Sequence, residues 1–266
     1  PDFAKGMWVQ MAKYNAYSFC RAHAASYALL AWAGAYLKTH WPAEFWAAAL
    51  NNNQSMYHPR VYVEQAKREG VDVLLPDVNI SGAEFTMTSG GPAPAVRVGL
   101  NFVSGLGQAG VQRILDARKR RRFESVSDFH ARVGLGDEEV RSLILCGAFD
   151  SLGRSRPAMM MELNLCAGLP RACGSDTLLT AAPVIPAPPG DYSPRRKYLD
   201  QRRILGVSVG PHLMELYRPL LASRVDADSR DLEAATGRRV RVAGLLAAAR
   251  TTPTRRGESM AFLTLD

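Results

Sequence analysis

The chain is poor in cysteine and has no apolar run long enough to cross a bilayer. Its 266 residues include four cysteines, with no Cys-x-x-Cys pair and no histidine at the spacing of zinc ligands. This pattern excludes a disulfide scaffold and predicts free, mostly buried thiols in a reducing cytoplasm. The longest apolar run, Ala22 to Leu37, contains His23 and Ser26 and falls short of the ~20 residues that span a membrane. We therefore expect no membrane partner and a cytoplasmic location.

Paired carboxylates of the kind that hold catalytic metal ions are also scarce. The one Asp-x-Asp sequence, Asp226-Ala-Asp228, lies beside Ser229 and a predicted helix start. We interpret it as a solvated, helix-capping pair, so we expect no metal ligand there. The sequence begins Pro-Asp-Phe without an initiator methionine and stops inside an apparent strand. We therefore expect it to be a piece of a longer protein.

Positive charge, by contrast, is in excess and concentrated in one stretch. The formal net charge is +8, from 33 Lys and Arg against 25 Asp and Glu. Between Arg97 and Arg122, seven basic residues accompany a single acid, Asp116. A concentrated cationic patch is typical of a surface that binds a polyanion. The alternative interpretation is a basic helix end that is merely solvated.

Two glycines that flank one leucine lie just before these cations. In Ser104-Gly105-Leu106-Gly107 they let the backbone turn tightly, and a helix is predicted to begin at Gln108. The unpaired amides at such a helix start attract phosphate groups. We therefore predict that the following residues contact a nucleic-acid backbone: Gly105, Gly107, Gln108, Arg113, Arg118, Lys119, Arg120, Arg121 and Arg122.

Hydrophobic periodicity predicts a mainly α-helical chain that contains small β elements. Ala22–Leu37 is apolar on nearly every face, which predicts a buried helix. A short strand is predicted at Val71–Leu75, and Glu84–Thr88 is predicted to pair with Ala95–Leu100 in a hairpin. A second glycine turn, Gly134-Leu135-Gly136, repeats the helix–turn–helix unit without the following cations. For this reason we assign the DNA contact to the first unit.

The last hundred residues contain a predicted linker, then a predicted helix, then predicted strands. Residues 167–193 are rich in proline and lack periodicity, which predicts a linker. Ser193-Pro194 is predicted to start a connecting helix, Arg195–Leu205, which Gly206 ends. Beyond it, Arg239–Ala248 and Met260–Leu265 are predicted strands, and the loop between them carries Arg255 and Arg256. These strands are expected to open a small β-barrel.

In their order and spacing, several stretches resemble the bacterial DNA polymerase III alpha subunits, which are C-family DNA polymerases. The stretches are YSFCRAHAASYALLAWAGAYLKTHWPAEFWAAAL, LLPDVNISGAEF, VGLNFVSGLGQAG, SLILCGAFDSLGRSRPAM, ILGVSVGPHLMEL and VRVAGLLAAARTTPTRRGESMAFLTLD. The resemblance implies late fingers, a tandem helix-hairpin-helix module, a linker, a helical connection and a truncated OB-type β-barrel. These segments are expected at residues 1–95, 96–166, 167–193, 194–236 and 237–266.

The resemblance also implies a chemistry. Such polymerases extend primer–template DNA with deoxynucleoside triphosphates and use Mg²⁺ held by palm carboxylates. In the family these carboxylates lie upstream of the fingers, so the resemblance implies that this chain contains no catalytic residue and no metal ligand. Arg21 and His23 fall where the family has a Lys and a His, so they are expected to contact the incoming triphosphate. Cys20 replaces the family's usual Asn. Arg255 and Arg256, on the barrel loop, are expected to meet single-stranded DNA.

Two questions stay open at this point. The family's replicative members carry a clamp-binding peptide with a Gln and a Phe, whereas residues 175–179 here read SDTLL. The chain could therefore belong to an error-prone paralogue or to a diverged lineage, with the sliding clamp and other replisome subunits as candidate partners. The alternative function is a stand-alone DNA-binding or repair accessory protein with helix-hairpin-helix and OB modules.

Overall fold

A computed structural model describes residues 2–18, 20–52, 57–88, 93–166, 189–254 and 257–265. This part of the chain is mainly helical, as predicted. The helices are α1 (Asp2–Ser18), α2 (Arg21–His40), α3 (Pro42–Asn51), α4 (Pro59–Arg68), α5 (Gln108–Arg120), α6 (Val126–Val133), α7 (Asp137–Cys146), α8 (Arg156–Cys166), α9 (Pro194–Leu205) and α10 (Leu213–Leu221). The strands are β1 (Asp72–Leu74), β2 (Thr86–Thr88), β3 (Ala95–Arg97), β4 (Leu246–Pro253) and β5 (Ser259–Leu265).

The helix predicted over the long apolar run is present as α2, but the prediction that it is buried is wrong. None of its residues is buried, and Leu30 and Trp32 are 68% and 64% exposed. An all-round apolar helix is buried only where neighbours cover every face. Among the described residues, α2 packs against α3. The apolar composition of a helix predicts that other segments pack against it, but composition does not identify those segments.

A three-stranded sheet connects the first helices to the glycine turns. β3 lies in the middle, parallel to β1 and antiparallel to β2. This arrangement confirms both the predicted strand and the predicted hairpin. Val96 and Val98 are fully buried and join the hydrophobic core, which continues into α5, α6 and α7. The sheet thus leads the chain directly into the first glycine turn.

Helices α5 to α8 pack around an aromatic centre. The ring of Phe129 lies 4.8 Å from that of Phe123 and 4.9 Å from that of Phe149, both edge to face. Helix α9 packs against α7 and begins as predicted, because the Ser193 side chain accepts a hydrogen bond from the backbone amide of Arg196. The predicted linker falls largely on residues 167–188, which lie outside the described part.

Strands β4 and β5 form an antiparallel hairpin near the end of the chain. The first of them begins at Leu246, whereas the sequence predicted a start at Arg239, so that prediction is wrong by several residues. The two described sheets do not close into a barrel, and Phe262 and Leu263 on β5 are 56% and 62% exposed. The OB-type barrel therefore stays a prediction. Arg255 and Arg256 lie outside the described residues.

Candidate nucleic-acid interface

The first glycine turn has the conformation that its sequence predicts. Gly105 has a φ of +86°, a left-handed conformation that favours glycine, while Leu106 is buried between the flanking helices. The amides of Ser104 and Leu106 are used internally, since they donate to the carbonyl oxygens of Ile204 and Val103 at 3.0 and 3.1 Å. Gly107 is the N-cap of α5 and supplies no side-chain cap. The exposed residues Gln108 and Ala109 therefore have amides without a side-chain cap, whereas Gly110 is buried and a Glu139 carboxylate oxygen lies 3.2 Å from the position of a Cβ atom there.

The second glycine turn has the same shape and the opposite electrostatics. Gly134 is left-handed, with a φ of +66°, and Gly136 is the N-cap of α7. Here the Glu139 carboxylate accepts a hydrogen bond from the Gly136 amide at 2.8 Å, and Asp137 and Glu138 complete an acidic first turn. The negative charges of these carboxylates interact favourably with the positive end of the helix dipole. A phosphate at this turn would meet like charge.

The two turns are held together at a glycine that the sequence analysis did not single out. A Cβ atom at Gly110, in the first turn of α5, would lie 2.9 Å from Leu106 and 3.1 Å from Leu135. The first buried leucine belongs to one turn and the second to the other. Gly110 thus permits close packing of the two hairpins, and its place three residues after Gly107 was a signal that could have been used.

The cations after α5 do not share one role. Lys119 forms an exposed pair with Asp116 at 2.7 Å, and Arg121 forms one with the buried Asp128 at 2.9 Å. The side chains of Arg120 and Arg122 are exposed and make no ion pair with other described residues. These two arginines and Lys119 are the cations of the run that are most accessible to a phosphate.

Arg118 and Arg113 donate hydrogen bonds to the protein's own backbone. Arg118 donates to the carbonyl oxygens of Ser81 and Val78 at 2.6 and 3.3 Å, and burial lowers its pKa below the usual value. Helical spacing gives the reason, because Arg118 lies four residues after the buried Ile114 and shares its face. Arg113 donates to the carbonyl oxygen of Gly134 at 2.8 Å and so bridges the two turns.

A second arginine network, missed by the sequence analysis, fixes the end of α5. Arg132 donates to the carbonyl oxygens of Ala117 and Arg121, both at 2.6 Å, and its guanidinium lies over the ring of Phe123 at 4.6 Å. Asp128, also on α6, pairs with Arg132 at 2.9 Å. Their spacing of four residues on α6 was the available signal. The network orients the backbone that carries the exposed cations.

Arg21 and His23 lie in the first turn of α2. Both are exposed, and the His23 ring lies 4.5 Å from that of Tyr27. The N-cap, Cys20, makes no side-chain hydrogen bond, and the first turn contains no acid. A cation at a helix N-terminus opposes the helix dipole, and a bound anion would relieve that conflict. Both residues lie in the same helix turn, but side chains two residues apart do not face each other on a helix, so the structure does not bring the two groups into contact.

The acid pair Asp226-Ala-Asp228 is occupied by contacts within the protein. Asp226 pairs with Arg241 at 3.0 Å, and the hydrogen bonds from Arg241 lower the pKa of this carboxyl. Asp228 is the N-cap of a short helical turn, Ser229–Asp231, in agreement with the predicted capping role.

Within the described ranges, no three His, Cys, Asp or Glu side chains are grouped so that they could hold a metal ion. The same ranges contain no helix with the length and apolarity to cross a membrane.

Comparisons with known proteins match this architecture. Residues 70–159 match the family model of the helix-hairpin-helix motif. The whole chain is 33% identical over 270 residues to the error-prone DNA polymerase of Bordetella parapertussis, and 34% identical over 278 residues to that of Burkholderia pseudomallei. It is 31% identical over 269 residues to the error-prone DNA polymerase of Pseudomonas aeruginosa. The alignments cover 100% of this chain and 25–26% of each relative, so the chain spans about a quarter of their length.

Proposed function

Because the chain matches a segment of the C-family DNA polymerases along its whole length, we propose that the complete protein is a DNA-directed DNA polymerase of the error-prone type. In this proposal the chain holds primer–template DNA, while palm carboxylates outside it bind Mg²⁺ and carry out phosphoryl transfer. The alternative of a stand-alone accessory protein is less well supported. The similarity extends well before residue 70 and beyond residue 159, the limits of the helix-hairpin-helix match.

The observation that carries the DNA-holding role is the contrast between the two glycine turns. The first has no acid in the first turn of its helix and is followed by exposed Lys119, Arg120 and Arg122. The second satisfies its own N-cap amide with Glu139. Phosphate contacts through backbone amides carry no base information, so the grip would be independent of sequence. Its affinity would fall steeply with salt, because each neutralised phosphate releases counterions.

Arg21 and His23 are the proposed contacts of the incoming triphosphate. Two positively charged or protonatable side chains in one helix turn fit the charge that develops on the leaving pyrophosphate. The cytoplasmic location, the five-segment division and the barrel loop contacts of Arg255 and Arg256 stay predictions. The weak clamp sequence at residues 175–179 lies outside the described part, so clamp and replisome contacts stay predictions as well.

A matched pair of glycine variants tests whether the first glycine turn binds a DNA phosphate. Gly107→Leu places a side chain over the first-turn amides of α5, where a Cβ atom would meet no neighbour within 4 Å. Gly136→Leu is the control, since this residue is the N-cap of α7 in the second turn and a Cβ atom there lies at 3.4 Å from Glu139. Both N-caps have negative φ values, −76° and −68°, so neither change forces a strained backbone.

We expect Gly107→Leu to weaken binding of a non-specific duplex by about tenfold or more, because the bulky side chain keeps the phosphate from the amides. Gly136→Leu is expected to bind as the unmodified chain does. Fluorescence anisotropy at several salt concentrations measures both affinities, and circular dichroism confirms equal helix content. Equal affinities for the two variants would refute the assignment of the first turn as the phosphate site.

A further inference from the structure

The C-terminal end of α9 lies directly against the first glycine turn. The Ile204 carbonyl oxygen accepts a hydrogen bond from the Ser104 amide at 3.0 Å, one residue before Gly105. This contact joins segments 100 residues apart in sequence. Helix α9 is itself basic, with five Lys and Arg side chains and one acid, Asp200. The sequence analysis assigned no DNA contact to this helix.

Arg203 is the cation of α9 whose charge remains most available beside the turn. Its side chain is 67% exposed, and its ion pair with Asp200 is long, at 3.9 Å. Asp200 is already held more closely by Arg196, at 3.0 Å. Arg202, by contrast, lines a small cavity together with Glu64 of α4. An exposed and weakly paired guanidinium therefore lies next to the residue that contacts the glycine turn.

We propose that Arg203 binds a backbone phosphate of the same duplex that the first glycine turn holds. Its Cα atom is one peptide unit, about 3.8 Å, from that of Ile204, and the arginine side chain spans a further ~7 Å. One strand of B-DNA presents a phosphate about every 3.4 Å along the helix axis, so a phosphate adjacent to the one on the turn falls within this reach. The proposal rests on the DNA-holding role proposed above and extends it to α9.

Charge-neutral variants at two positions of the same helix test the proposal. Arg203→Gln removes the charge beside the turn. Arg195→Gln is the matched control, because Arg195 is also exposed but lies eight residues away, about 12 Å along the helix. Arg203→Lys keeps the charge. Binding of each variant of the chain to a non-specific DNA duplex is measured across a series of salt concentrations, with circular dichroism as the check on folding.

We expect Arg203→Gln to weaken binding about three- to tenfold at low salt and to reduce the slope of log affinity against log salt by about 0.9, the value for one lost phosphate contact. Arg203→Lys is expected to restore the slope, and Arg195→Gln to keep it. An unchanged slope for Arg203→Gln, or an equal loss for Arg195→Gln, would overturn the proposal. If Gly107→Leu weakened binding while Arg203→Gln did not, the inference on α9 would fail and the role of the turn would stand.

Discussion

Replacing Asp128 by Ala removes the carboxylate that connects α6 to the end of α5. Its two oxygens bind Arg121 and Arg132, each at 2.9 Å, and the Asp128 side chain is only 3% exposed. Loss of the carboxylate leaves the Arg132 guanidinium without its counter-charge. We therefore expect the variant to lose stability in the helix-hairpin-helix module, where both arginines lie.

The size of the stability loss in Asp128→Ala follows from the burial of its two partners, Arg121 and Arg132. The Arg121 side chain is 49% exposed, and an ion pair with such a residue is worth about 0–1 kcal/mol. The Arg132 side chain is 15% exposed, and breaking a buried pair costs about 3–5 kcal/mol. Arg132 keeps its bonds to the carbonyl oxygens of Ala117 and Arg121, which places the cost at the lower end of that range. The expected loss is about 3 kcal/mol.

Amide hydrogen exchange measures this loss locally, in the helices that the carboxylate joins. A loss of about 3 kcal/mol accelerates exchange in α5 and α6 about 100-fold. The control is Asp116→Ala, which breaks the exposed pair with Lys119 and should change exchange by less than about fivefold. Equal exchange rates in the two variants would refute the argument that burial decides the value of the Asp128 contacts.

Two further predictions concern α2 and the cysteines. In the full-length polymerase, the double variant Arg21→Ala, His23→Ala should raise the apparent KM for the nucleotide or lower kcat. The control variant His40→Ala, which removes an imidazole ring from the other end of α2, should change neither constant. Unchanged kinetics for the double variant would contradict the triphosphate role. Iodoacetamide at pH 8 should alkylate the exposed Cys20 and leave Cys146 unmodified, because burial raises the pKa of the Cys146 thiol to about 12. Mass spectrometry identifies the labelled cysteines, and labelling of Cys146 in the folded chain would contradict its burial.

Local signals in the sequence predicted the secondary structure well where one residue type has one conformational effect. Ser193 before Pro194 predicted the start of α9, and Gly206 after Leu205 predicted its end, where the glycine has a φ of +70°. The start of α5 after Gly107 was likewise predicted to the residue. These features depend on backbone geometry within a few residues, which the sequence specifies directly.

Features that depend on distant segments could not be predicted in the same way. The carbonyl oxygens that engage Arg118 belong to Val78 and Ser81, some 40 residues earlier, so the basic run alone could not separate this arginine from Lys119. The contact of Ile204 with Ser104 is more distant still. The available clue was periodicity, because Arg118 shares a helix face with Ile114.

The difference between the two glycine turns shows how a repeated motif can divide into a binding half and a structural half. Residues 107–122 carry six basic side chains and one acid, whereas residues 134–141 carry three acids and one arginine. Glu139 provides the Gly136 amide with an acceptor and, with Asp137 and Glu138, places negative charge at this helix start, which disfavours a phosphate. The first turn of α5 contains no acid of its own. Both turns meet at Gly110, where Leu106 of the first turn and Leu135 of the second pack, so the acidic turn supports the one that is followed by the cations.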